Sequence, residues 1–271
     1  MPSLSRPKGF LKRHRKLAII LPLVFLGIVS LSVYGYYASI DFGCNVVGVT
    51  VHGTIQTYNP DYASTGAEDI ASAENITYAL QYAEDSPWIK GVLVEIDSGG
   101  GYPVAAEEIT NKIKKLTKPS VGLIREWGTS AAYWAATGAN WIVGSKLSTI
   151  GGIGVTSSYV DYAQQNTKEG ITYNQLSTGK FKDMLNPDKP LTDEERKLVE
   201  RDLAITNEQF ISTVAANRNL LVETIRGLAD GSSMMGDAAL EQKLIDQIGG
   251  YDEAKAYLEQ QIGEPVEVCW K

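Results

Sequence analysis

The apolar and polar positions divide the chain into an uncharged stretch near its start and a long region where apolar runs alternate with helical patterns. Positions 17–37, LAIILPLVFLGIVSLSVYGYY, contain no charged residue. As a helix they would rise about 31 Å, matching the roughly 30 Å hydrocarbon core of a bilayer. A cleaved leader would carry a shorter apolar run, roughly 7 to 15 residues, ending in small residues. This stretch ends instead in tyrosines suited to a membrane interface. The expectation is a transmembrane anchor over 17–37, with a cleaved signal peptide as the rival.

Beyond a linker over 38–45, NVVGVTVHGTI (45–55) is rich in β-branched residues and predicts a strand. A polar loop follows. Ile76, Ala79, Leu80 and Ala83 then recur at helical spacing within 71–84, and KGVLVEI (90–96) is a near-continuous apolar strand. A glycine cluster, a helix over 102–116, the strand SVGLIRE (120–126) and a small-residue helix come next. Strand, turn and helix repeated at this spacing indicate a mostly parallel sheet with crossover helices, an α/β fold. NWIVGS (140–145) and ITYNQLS (171–177) read as further strands. LTDEERKLVERDLAITNEQFISTVAANR (191–218) is a long helix opened by a capping box of Thr192 and Glu195. No repeat, low-complexity tract or boundary interrupts 46–271, which reads as one domain.

Charge sharpens the topology. Arg6, Lys8, Lys12, Arg13, Arg15 and Lys16 stand in the first sixteen residues with no acidic neighbour, predicting a cytoplasmic tail over 1–16. Everything beyond the anchor then lies outside the inner face of the cytoplasmic membrane. That outer part keeps 19 basic against 32 acidic residues, which argues against a nucleic-acid partner. Cys44 and Cys269 flank it; an oxidising compartment would let them pair, and two separate thiols are the alternative.

Two strand-to-helix turns carry the chemistry. EIDSGGGYP places Gly99, Gly100 and Gly101 after a buried strand, where glycine backbone can present N–H groups to a ligand. EWGTSAAYW places Ser130 where a helix begins. Serine there is either an ordinary N-cap or a nucleophile beside N–H groups that stabilise an oxyanion. Histidine offers little help as a base: His14 lies in the basic tail and His52 inside the first strand. A lysine base would have to be neutral, its pKa falling from about 10.4 to near 7.5 at a cost of about 4 kcal/mol. Lys180 and Lys182, in STGKFKDMLNP, sit beside Phe181, Met184 and Leu185, and alternation alone does not choose between them. No metal-ligand constellation and no cofactor motif is apparent.

Six motifs in order, VHGTI, VLVEIDSGGG with AAEEI, GTSAAYWAATGAN, STIGGIGV, GKFKDMLNP and GDAALEQKLIDQIGGYDEA, resemble the signal peptide peptidase A family. These are membrane-bound serine proteases related in fold to the Clp protease and crotonase superfamily. The resemblance implies a fold of repeated ββα units behind one N-terminal transmembrane helix. It implies Ser130 as nucleophile, Lys182 as general base, and an oxyanion hole from the Gly100 and Ala131 N–H groups. Gly99, Gly101, Gly151, Gly152 and Gly154 would border the substrate groove. No metal or other cofactor is implied. Gly99 stands where the family usually has proline, and Gly152 where many relatives have a serine that orients the lysine, a duty Ser148 or Thr149 would have to assume.

The expected function is a Ser–Lys endopeptidase in the inner membrane that degrades cleaved signal peptides and other apolar peptides. Single-domain relatives form homo-oligomeric rings whose serine and lysine come from neighbouring subunits, which the resemblance extends to this chain. The alternatives are a protease acting on a stomatin-type scaffold and a catalytically weakened assembly or binding protein.

Overall fold

The computed structural model describes residues 21–32, 43–58 and 69–271. The chain divides into two units, Met1–Cys44 and Asn45–Lys271. In the first, residues 21–32 form a helix, α1, exposed along its length and without a charged residue. The basic tail, the rest of the expected anchor (17–20 and 33–37) and most of the linker lie outside the described residues. Among the described residues no helix is long and apolar enough to cross a membrane.

The second unit begins with a departure from the pattern. The single strand expected over 45–55 is two, β1 (Val46–His52) and β2 (Thr54–Gln56). Gly53 turns the chain between them at φ 76°, a left-handed conformation open to glycine without strain. A Cβ there would meet the Asp69 carbonyl oxygen at 1.8 Å. Strand β2 pairs in parallel with β3 (Ile70–Ser72) in a small separate sheet. Next come α2 (Ala73–Asp85), β4 (Gly91–Ser98), α3 (Pro103–Lys114), β5 (Ser120–Thr129), α4 (Ala131–Ala136), β6 (Trp141–Gly144) and β7 (Thr149–Gly151). The remainder is α5 (Ala163–Glu169), α6 (Asp193–Arg218), α7 (Val222–Leu228), β8 (Ser233–Met235), α8 (Gly236–Glu241), β9 (Gln247–Ile248), α9 (Tyr251–Ile262) and β10 (Val268–Trp270).

The main sheet runs β10-β1-β4-β5-β6-β9, with each neighbouring pair parallel. Its central strands are buried on both sides, which is why they are apolar throughout. Leu93, Leu123 and Val143 pack with Ala254 and Leu258 of α9. Val92, Val94 and Ile96 alternate with Leu93 and so face the other side, where α2 packs on β1 and α4 on β5. Strand β5 changes partners along its length: 121–124 pair with β6 and 127–129 with β7. The sheet thus splits at the end of β5, beside Ser130.

One expected strand is absent: 171–177 has no strand structure and is largely exposed. Its alternation has no strand to pair with among the described residues, and propensity alone does not hold an extended segment. Helix α5 in the same region buries no residue. Both cysteines are disulfide-bonded.

The capping box at α6 forms as expected. The Thr192 hydroxyl accepts the Glu195 N–H at 3.3 Å, and Glu195 accepts the Thr192 N–H at 3.0 Å. Lys189 adds an ion pair at 2.7 Å. The Lys189 hydrogen bond, followed by the bonds from Thr192, pulls the Glu195 pKa down to about 2. A depressed carboxylate stabilises the fold fully above its unfolded pKa, about 4.3, and loses that contribution as pH falls towards 2. The melting-temperature gap between wild type and Glu195→Gln should therefore narrow below about pH 4.5. A gap unchanged down to pH 2 would contradict this.

Candidate active site

Parallel neighbours β4 and β5 deliver their C-terminal turns side by side, at the end of an α/β sheet where ligands characteristically bind. The first turn is Gly99–Gly101; the second is Ser130. Ser130 has φ 54° and ψ −127°, a strained conformation for a non-glycine residue that costs about 1–3 kcal/mol. Neighbouring bonds hold it there: its N–H donates to the Gly151 carbonyl at 2.8 Å, and its carbonyl accepts the Trp134 N–H at 3.0 Å. Its hydroxyl makes no capping bond to α4, so the N-cap role open to it in sequence is not the one it has. The residues after it in α4 are buried. Ala131 occupies the first helical position, whose N–H has no intrahelical acceptor.

The glycine turn lies directly against this serine. A Cβ on Gly100 would stand 2.8 Å from the Ser130 Cβ, 3.2 Å from its Oγ and 3.2 Å from the Ala131 N. Gly101 bridges to Ile55 of β2, with the Ile55 N–H on the Gly100 carbonyl and the Tyr102 N–H on the Ile55 carbonyl, each 2.9 Å. The Gly99–Gly100 peptide is bonded at both ends by hydroxyl groups. Thr129 donates to the Gly99 carbonyl at 3.1 Å, and the Gly100 N–H donates to the buried Ser98 Oγ at 3.1 Å.

Two cavities meet at Ser130. One, of about 740 Å³, is bordered by Gly99, Thr129, Gly152, Gly154 and Thr156 on one side and by Asn207 of α6 on the other. The second, of about 340 Å³, is bordered by Gly101, Tyr102, Ala131, Trp134, Val155 and Phe210. Trp134 stacks on Phe210 with ring centroids 4.6 Å apart, tying α4 to α6 beneath the site. Gly99, Gly101, Gly152 and Gly154 thus border cavities that Ser130 borders. Gly151 serves instead through its carbonyl, which accepts the Ser130 N–H.

Lys182 borders neither cavity. It sits exposed on a turn within the largely exposed segment 156–190. The turn is anchored next to it: the Asp183 carboxylate accepts from Tyr173 and Asn186, and the Tyr173 bond is the first cause holding the Asp183 pKa below its ordinary value. Lys180 pairs with Glu194. His52 lies in a different cleft, 3.2 Å from Glu95, which also binds Arg125 at 2.8 Å. Ser148 is committed to the Arg125 carbonyl and borders that same cleft. Thr149 borders neither cavity at Ser130. The hydroxyls at the site are those of Thr129, Thr156 and Ser233, with Asp230 and Asn207 nearby. Thr129 belongs to the serine motif itself, whereas Thr156, Asn207, Asp230 and Ser233 lie outside the six motifs and are brought to the site only by folding.

A parallel-sheet α/β domain with a strained serine at the strand ends defines the class. The fold is that of a mutant form of ClpP1 from Listeria monocytogenes: TM-score 0.51 at 13% identity, over 79% of this chain and 95% of that one. The model of peptidase family S49 matches residues 112–263. The chain belongs to that family. It is 31% identical to a candidate signal peptide peptidase SppA of Enterococcus faecium, over 77% of this chain and 61% of that protein. It is 29% identical to the chloroplastic serine protease SPPA of Arabidopsis thaliana, over 79% of this chain and 32% of that protein. The chain therefore spans less than two thirds of the length of either relative.

Proposed function

We propose that this chain is a membrane-anchored serine endopeptidase working outside the cytoplasmic membrane on apolar peptides such as cleaved signal peptides. The observation carrying the reading is Ser130: strained, not capping its helix, and at the meeting point of two cavities. Its Oγ attacks the peptide carbonyl carbon while Lys182 takes the proton. Lys182 then protonates the leaving amine, and water releases the acyl group by the reverse use of the same base. The Ala131 and Gly100 N–H groups stabilise the oxyanion. An extended substrate lies along Gly99–Gly101 and the 151–154 segment, its flanking residues in the two cavities.

Lys182 is supplied to Ser130 by a second copy in a homo-oligomer. Its absence from both cavities supports this, as does an arm that buries little of itself while exposing Tyr159, Val160, Leu176 and Phe181. The uncharged run over 17–37 and its closing tyrosines favour the anchor over a cleaved leader, and disulfide-bonded cysteines suit an oxidising compartment. Detergent-solubilised full-length chain should cleave a fluorogenic apolar peptide and leave a charged peptide of equal length largely intact. Equal cleavage of both would reject the substrate class.

A further inference from the structure

Taking Ser130 as the nucleophile, we infer that Ser98 and Thr129 are positioning residues that set the orientation of the oxyanion-hole peptide and hold its N–H turned away from Ser130 until a carbonyl oxygen takes it. The Gly100 N–H is spent on Ser98 Oγ at 3.1 Å. Its direction agrees: at φ 117° an N–H points opposite to the Cβ position, and that position faces Ser130 at 2.8 Å. The other end of the same peptide, the Gly99 carbonyl, is the end turned towards the Ser130 side, where Thr129 donates to it at 3.1 Å.

A peptide flanked by two glycines turns over at little steric cost, because neither neighbour has a Cβ to clash. Gly99 has open space around it, which leaves the peptide free to rotate. Turning it over releases both hydroxyl pins and brings the Gly100 N–H to the side where Ala131 already offers its own. Ser98 is suited to the holding role, since it is buried and its hydroxyl proton is fixed by the Gly53 carbonyl at 2.6 Å, leaving a lone pair for Gly100. The buried Gly100 N–H is thereby satisfied, and the donor is released as a carbonyl oxygen arrives to take it.

The test compares Ser98→Thr with Ser98→Val, side chains of equal shape that differ in the hydroxyl, in the detergent-solubilised full chain. The probe is a peptide aldehyde, whose carbon bonds to Ser130 Oγ and whose oxygen, taking up the negative charge or the proton, enters the hole. Without the pin, the Val variant should bind the aldehyde about fivefold to tenfold more tightly than the Thr variant, the factor set by one neutral hydrogen bond. Affinity for the same peptide ending in an amide, which forms no oxyanion, should be equal in both. Equal or weaker aldehyde binding by the Val variant, at equal melting temperature, overturns the inference. If Ser98→Val does not fold, Thr129→Val removes the other pin and must shift the aldehyde-to-amide affinity ratio in the same direction. A Ser130→Ala chain that still binds the aldehyde more tightly than the amide would instead reject Ser130 as nucleophile.

Discussion

Ser130→Ala should lower peptide turnover about ten-thousandfold or more, the scale on which removal of an activated nucleophile acts. The fold should be untouched, because the hydroxyl makes no capping bond and the backbone bonds holding the residue remain. Lys182→Ala should be equally damaging. Lys182→Arg is the sharper variant: it keeps the positive charge but cannot be deprotonated, so it should be as inactive as alanine. Substantial activity in the arginine variant would mean that position 182 acts through charge and that the base lies elsewhere.

Gly101→Ala should combine a stability loss with loss of activity. A Cβ at this position would lie 2.1 Å from the Ile55 carbonyl oxygen and 2.6 Å from the Ile55 N, both backbone atoms that give way only if β2 moves. The bridge between Ile55 and Gly101 would open, and the glycine turn facing Ser130 would lose the strand that backs it. Overpacking of this kind costs about 1–3 kcal/mol, and more where backbone must shift. Gly99→Ala is the matched control for stability, since nothing lies within 4 Å of a Cβ there. Urea denaturation should separate the two clearly. Equal midpoints would contradict the described contact between β2 and the turn.

The elements around the site were legible because they are buried: apolar runs marked β4 and β5, helical spacing marked α2, and the box at Thr192 marked the start of α6. The broken strand at Gly53 was less so, because a left-handed glycine inside a β-branched run leaves the apolar pattern intact. Residues 171–177 misled in the opposite way: their alternation is real, but a strand needs a partner, and the described residues supply none there. At the site, sequence placed Ser130 at a helix start with two roles open. The backbone dihedrals and the missing capping bond set aside the cap role, and neither is written in residue identity. The direction of the Gly100 N–H is a property of one peptide plane, equally invisible in the run of glycines. Asn207 and Asp230 reach the cavity from segments far along the chain, so no local spacing announces them.

In the proposed protease, one copy supplies Ser130 and another supplies Lys182. The direct measurement is to mix Ser130→Ala chains with Lys182→Ala chains, each inactive alone, and assay the fluorogenic peptide across mixing ratios. Shared sites predict recovered turnover that peaks near equal proportions, because only mixed neighbours bring an intact serine to an intact lysine. No recovery at any ratio, with mixed oligomers demonstrated by affinity capture of one tagged variant with the other, would contradict it.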